Sequence, residues 1–204
     1  LMVSIGSILA ILVSCAKEDD DSSSSSTTSA TTTTPSGSIT MGSYTVSGVY
    51  KSGCFTSGVS SLIALGAFPS DVKSYGFVFV VIGDDNITSE THSFTDTECT
   101  TSSWVNKLVR DNVTVGTASG ANYPVTYNKG GFRWTVNTTT AETYLENLYT
   151  SISLDMTVGT EKVIAGVGSA AYGLWTPGDT TIYLASESTS STPTTAGGIV
   201  YTKE

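Results

Sequence analysis

The stretch SYGFVFVVIGDDNITSETHSF, residues 74–94, decides the fold. Its first half, 75–82, is apolar at every position after Gly76, as expected of a strand buried on both faces. Gly83, Asp84, Asp85 and Asn86 then supply turn chemistry, and from Ile87 to Phe94 β-branched and polar residues alternate with a period of two. Two such runs joined by a short polar turn predict a β-hairpin, with the first strand central in its sheet.

The same period of two extends outward. Tyr44, Val46, Gly48 and Tyr50 alternate with small or polar residues and predict an opening strand. Further strands are expected at 105–109, 112–117, 123–127 and 132–137, mostly with Gly, Asn or Asp between them. Residues 172–175 and 180–185 flank Pro177, Gly178 and Asp179 as a second hairpin, and 199–203 forms the last strand. One helix interrupts the series. Thr139 with Glu142 three residues on fits a capping box, and Tyr144, Leu145, Leu148 and Tyr149 form an apolar stripe suited to covering a barrel end. Residues 59–68 are apolar enough for a small helix or lid.

The N-terminal part has a different character. Residues 1–14 are uncharged and mostly apolar, yet shorter than the roughly 20 residues a membrane-spanning helix needs. A secretory signal core fits, and the lack of a positively charged leading region predicts that the segment is truncated at its N-terminus. Leu12, Val13, Ser14 and Cys15 resemble the bacterial lipobox, which makes Cys15 the expected lipidation site and the first residue of the mature chain. Small residues before the cysteine give the processing enzymes access to the backbone. Residues 22–34 are Ser or Thr except Ala30, a composition that cannot offset the entropy of ordering. The expected organisation is a signal peptide over 1–14, a lipidated acidic and Ser/Thr-rich tether over 15–43, and one domain over 44–204. The run CAKEDD, 15–20, resembles an export signal that sends some Bacteroidetes lipoproteins to the cell surface, so the expected location is the outer membrane of a bacterial envelope.

Charge and cysteine usage agree. The net charge of −9 and pI ≈ 4.4 disfavour nucleic acid as a partner. The tether holds four of the acids and one lysine, so the domain remains acidic by itself. With Cys15 lipidated, Cys54 and Cys99 form an even pair that reads as a disulfide in an oxidising compartment. A metal or redox pair fails on spacing, because there is no C-x-x-C and His92 is the single histidine. No cofactor is expected.

VYKSGC, 49–54, followed by a strong strand, a hairpin and SFTDTEC, 93–99, resembles a group of bacterial lipoproteins with a lipocalin-like β-barrel. The likeness covers roughly residues 44–117, with a weaker echo at 174–184. Two features depart from it: Tyr50 stands where the group has tryptophan, and 55–73 is long. The resemblance implies a mainly β chain, folded as a single antiparallel up-and-down barrel with one short helix and tied by Cys54 to Cys99. Such a barrel fills its interior with side chains or encloses one apolar ligand. A β-sandwich is the alternative. Candidate cavity residues are Phe77, Phe79, Tyr127, Phe132, Trp134 and Trp175.

Catalytic patterns are sparse. No G-x-S-x-G elbow occurs, and one histidine excludes H-E-x-x-H. Residues 166–171 match G-x-G-x-x-A, but Gly173 and Pro177 cut short the helix a dinucleotide would need. Asp84 and Asn86 begin like a calcium loop that lacks its glycine and terminal glutamate. Glu90 and His92, with Asp96 and Glu98 nearby, are the remaining candidates for acid–base chemistry, and surface carboxylates more often only solvate. The expectation is a membrane-anchored envelope lipoprotein that binds a small apolar ligand or serves structurally, with surface adhesion as the alternative and no enzyme activity.

Overall fold

The structure, a computed structural model, describes residues 33–164, 168–195 and 197–204. Eleven strands are found among them. In chain order they are β1 (Ile39–Met41), β2 (Tyr44–Val46), β3 (Val49–Lys51), β4 (Ser74–Val81), β5 (Ile87–Phe94), β6 (Ser102–Val115), β7 (Tyr123–Val136), β8 (Glu161–Ile164), β9 (Ala170–Pro177), β10 (Thr181–Leu184) and β11 (Val200–Lys203). Helix α1 spans Val59–Ala64 and α2 spans Thr139–Leu148.

Each strand from β3 to β7 pairs antiparallel with the next. β9 then pairs with the first half of β7, β10 with β9 and β11 with β10. β11 returns to β3, which closes a ring of eight strands. The chain is therefore an up-and-down antiparallel barrel, and a two-sheet sandwich is ruled out. β8 lies along the second half of the β7 edge that carries β9. Lys107 on β6 and Arg133 on β7 both reach the Glu161 carboxylate, which holds β8 there from outside.

The register fixes which face is inside. Tyr50 lies opposite Phe79, Phe79 opposite Ser89 and Ser89 opposite Leu108, so these residues share one face. Phe79 on β4 meets Trp175 on β9 edge to face at 5.3 Å, four strands away round the ring. Only a contact across the barrel axis can join them, so that face is the interior.

Two clusters fill it. At one end Phe79, Val81, Ile87, Val125 and Trp175 pack beneath Ile39, Met41 and Val46 of the β1–β2 hairpin. Gly42, at φ +63°, makes the hairpin turn against the Tyr123 hydroxyl, where a Cβ would collide. At the other end Tyr75, Phe77, Trp104, Trp134 and Val136 pack beneath Val59 and Leu62 of α1, Phe68, and Ala141 and Leu145 of α2. A hairpin and a helix pair thus close the two mouths.

Among the described residues, some that precede the boundary expected at Tyr44 pack against the barrel. Ser36 bridges to Ile82, and Ile39 and Met41 are core residues, because the barrel mouth needs an apolar cover that the Ser/Thr run cannot give. The opening strand divides in two at Gly48, whose φ of +87° breaks the extended backbone. The pairs expected at 105–109 and 112–117, and at 123–127 and 132–137, are one long strand each. The helix is capped by Thr138, one residue before the expected Thr139: its hydroxyl accepts from the Ala141 amide and donates to Asp71. Cys54 and Cys99 are joined, tying the end of β3 to the β5–β6 loop.

Candidate functional site

The barrel interior gathers the chain's aromatic residues, and β5 supplies a wall of another kind. Its inward residues after Ile87 are Ser89, Thr91 and Ser93, three small side chains in a row. They lie across from one another in register with Leu108, Asn106 and Trp104 of β6. Alternation along β5 resembles a strand with a solvent face, yet Thr88, Glu90, His92 and Phe94 on the outward face are buried as well.

The candidate cavity residues divide between the two ends. Phe79, Tyr127 and Trp175 belong to the hairpin end, and Phe77 and Trp134 to the helix end, where Phe132 packs against them partly buried. Trp134 lies 4.7 Å from Trp104 between ring centroids. Sequence reasoning missed Trp104 because it falls just before the strand expected at 105–109. Cys15 lies outside the described residues, as do Gly166 and Val167 of the glycine motif.

Between the aromatic ends sits a group of ions. Arg110, pointing inward from β6, donates through Nε to Glu187 at 2.8 Å, and Lys129 pairs with the other oxygen of the same carboxylate. The guanidinium lies 5.5 Å over the Tyr127 ring. Burial pushes the Tyr127 phenol well above its ordinary value, and the Glu187 charge adds to the rise against an opposing effect of Arg110. Tyr201 on β11 is raised by burial alone. Both phenols stay protonated at neutral pH.

The acid–base candidates occupy the outside. His92 Nε2 stands 2.7 Å from Glu90 Oε2, both side chains nearly inaccessible, and the Thr33 hydroxyl donates to the other Glu90 oxygen. Burial by itself would raise the Glu90 pKa, but hydrogen bonds from His92 and Thr33 and the charges of His92 and Lys107 outweigh it and hold the carboxyl below its usual range. Asp96 serves the loop: burial by itself would raise its pKa, but its carboxylate accepts from the Thr100 and Thr101 amides and the Thr100 hydroxyl, which together outweigh burial and hold the pKa well below its ordinary value. That turn presents Cys99 at φ +56° to its partner. Asp84–Asn86 make the β4–β5 turn, where the Asp84 carboxylate accepts from the Ser38 amide. Among the described residues no three of His, Cys, Asp and Glu gather as a metal centre requires.

Outside the barrel mouth, α1 and α2 leave an open groove of ≈ 570 Å³ lined by Ile63, Phe68, Thr140 and Tyr144. Leu65, 73% exposed, and Ile152, 55% exposed, lie on the same helical end. A scan against protein-family models finds no match to this chain, and a search of curated proteins finds none either.

Proposed function

We propose that this chain is a lipid-anchored protein of the bacterial envelope, tethered to the outer membrane through Cys15, whose barrel holds a small, largely apolar ligand. The reading rests on one observation above the rest: aromatic side chains from opposite walls converge on an interior closed at both mouths, beside a wall of Ser89, Thr91 and Ser93. A barrel of eight strands encloses either one ligand or a full set of side chains, and the small side chains of β5 take up less of that interior than the aromatic ones do. The lipobox-like LVSC and the hydroxyl-rich run after it support the anchor.

Native mass spectrometry of protein extracted without detergent tests the ligand. A folded chain carrying a small extra mass is expected, and a bare chain in every preparation would overturn the reading. Cys15→Ala is expected to abolish palmitate labelling and to release the protein from the membrane fraction. Retention of the variant in membranes would contradict the anchor.

A second reading, surface interaction with another protein, is favoured by the exposed Leu65, next in the chain to Gly66 of the groove lining, and the exposed Ile152 in the turn after α2. A specific partner recovered from envelope extracts, and lost on Leu65→Ser with Ile152→Ser, would support it.

A further inference from the structure

Four buried side-chain atoms have no hydrogen-bond partner among the described residues: Ser93 Oγ, Trp104 Nε1, Asn106 Nδ2 and Trp134 Nε1. Their residues are all more than nine-tenths buried, at 0%, 3%, 2% and 8% exposure. They are not scattered. Ser93 lies opposite Trp104 across β5 and β6, Asn106 lies opposite Trp134 across β6 and β7, and the two indole rings meet at 4.7 Å between centroids with their planes tilted by 34°. All four occupy inward positions at the helix end of the barrel.

Folded proteins leave few such groups, because each one forfeits its hydration without a replacement bond. Adjoining orphans on three neighbouring strands need a common cause. An indole N–H can only donate, so what completes the set must present acceptors. The Tyr149 hydroxyl lies close to the Trp134 indole without completing a hydrogen bond to it. Further along the inward face of β6, Arg110 and Lys129 share the single carboxylate of Glu187, a group with one positive charge in excess.

We propose that Trp104, Asn106, Trp134 and Ser93 form the polar end of the ligand site, and that the ligand is an apolar acid whose carboxylate takes these donors while its body lies against the Trp104, Trp134 and Phe77 rings. This deepens the ligand-holding reading and rests on it. Donors fixed in a dry interior select an acceptor-bearing molecule over one of equal size without it, because the mismatched ligand leaves them unpaired.

The test uses the full-length chain in lipid nanodiscs, with empty nanodiscs subtracted. Straight-chain carboxylates from butanoate to decanoate are titrated by calorimetry and tryptophan fluorescence, each beside the alcohol of the same length. At least one acid is expected to bind about 10-fold or more tightly than its alcohol. Asn106→Leu is expected to weaken that acid by about 10-fold, to leave the alcohol within about 2-fold, and to unfold at no lower a temperature than the unsubstituted chain, since it removes an orphaned amide. A purely structural Asn106 would give the opposite thermal result. Equal affinity for acid and alcohol, or an acid affinity unmoved by Asn106→Leu, overturns this inference and leaves ligand holding intact. So does a neutral molecule found bound by native mass spectrometry when no acid binds. A chain that binds neither series and is bare by mass spectrometry overturns both, and ordered waters completing all four groups in a crystal structure overturn this one.

Discussion

Glu187 holds two cations at once, and its removal would take the shared carboxylate from both, with Arg110 still over the Tyr127 ring. Arg110 is 9% exposed at its side chain and Glu187 22%, so water screens the group only in part. Glu187→Gln is therefore expected to lower stability by about 2 kcal/mol, read as a fall in the urea midpoint at unchanged slope. Arg110→Met, Lys129→Met and Glu187→Met combined should cost less than Glu187→Gln, because no charge of the group is then left unpaired. Glu90 makes a pH prediction. Its folded carboxyl binds a proton less readily than in the unfolded chain, where the value is 4.5. The stabilisation it gives is complete above that pH and is lost as pH falls through the lower folded value. Glu90→Gln should be less stable than the parent at pH 7, and the difference should shrink on acidification below about pH 4.5 in urea titrations.

The disulfide and the bulges act on whole elements. Cys54 and Cys99 close a loop of 45 residues that holds β4, β5 and α1, and the chain-entropy estimate for that length is about 4 kcal/mol. Cys54→Ser with Cys99→Ser should lose an amount of that order in equilibrium unfolding, and the parent in reductant should match it. The hairpin of β4 and β5 was legible because turn residues bound two runs of constant phase. β6 and β7 were each read as two strands because their inward period changes phase midway. On β7 an extra residue near Gly131, at φ +103°, moves the inward set from Phe132, Trp134 and Val136 to Val125 and Tyr127. On β6 Asn112, at φ +56°, does the same between Arg110 and Val113. A phase change resembles a strand end unless the partner's register is known. The aromatic part of the site was legible for the ordinary reason that large apolar residues go inward. Ser93 and Asn106 were not, because polar residues in an alternating strand signal water, and only closure of the ring shows that their face is enclosed.

Closure of the whole molecule depends on its shortest seam. β4 and β5 pair from Ser74 opposite Phe94 to Val81 opposite Ile87, whereas β11 meets β3 only at Thr202 opposite Lys51 and Lys203 opposite Tyr50. The Glu204 amide donating to the Val49 carbonyl and the Lys51–Glu204 ion pair extend that seam at an exposed edge. Local opening follows the path that breaks the fewest buried contacts, so the barrel should open between β3 and β11 before it unfolds globally. In native-state hydrogen exchange the amides of Thr202 and Glu204 are expected to exchange on the order of 100-fold faster than those of Thr88–Ser93, with exchange insensitive to low urea because little surface is exposed. A chain ending at Gly198 should keep the β4–β5–β6 sheet but lose its single sharp unfolding transition, since Ile182 and Tyr50 would then each face an open edge. Equal protection across the β11–β3 and β5–β6 seams would mean that the barrel opens only by unfolding, and that any ligand enters past the hairpin or the helices instead of through this seam.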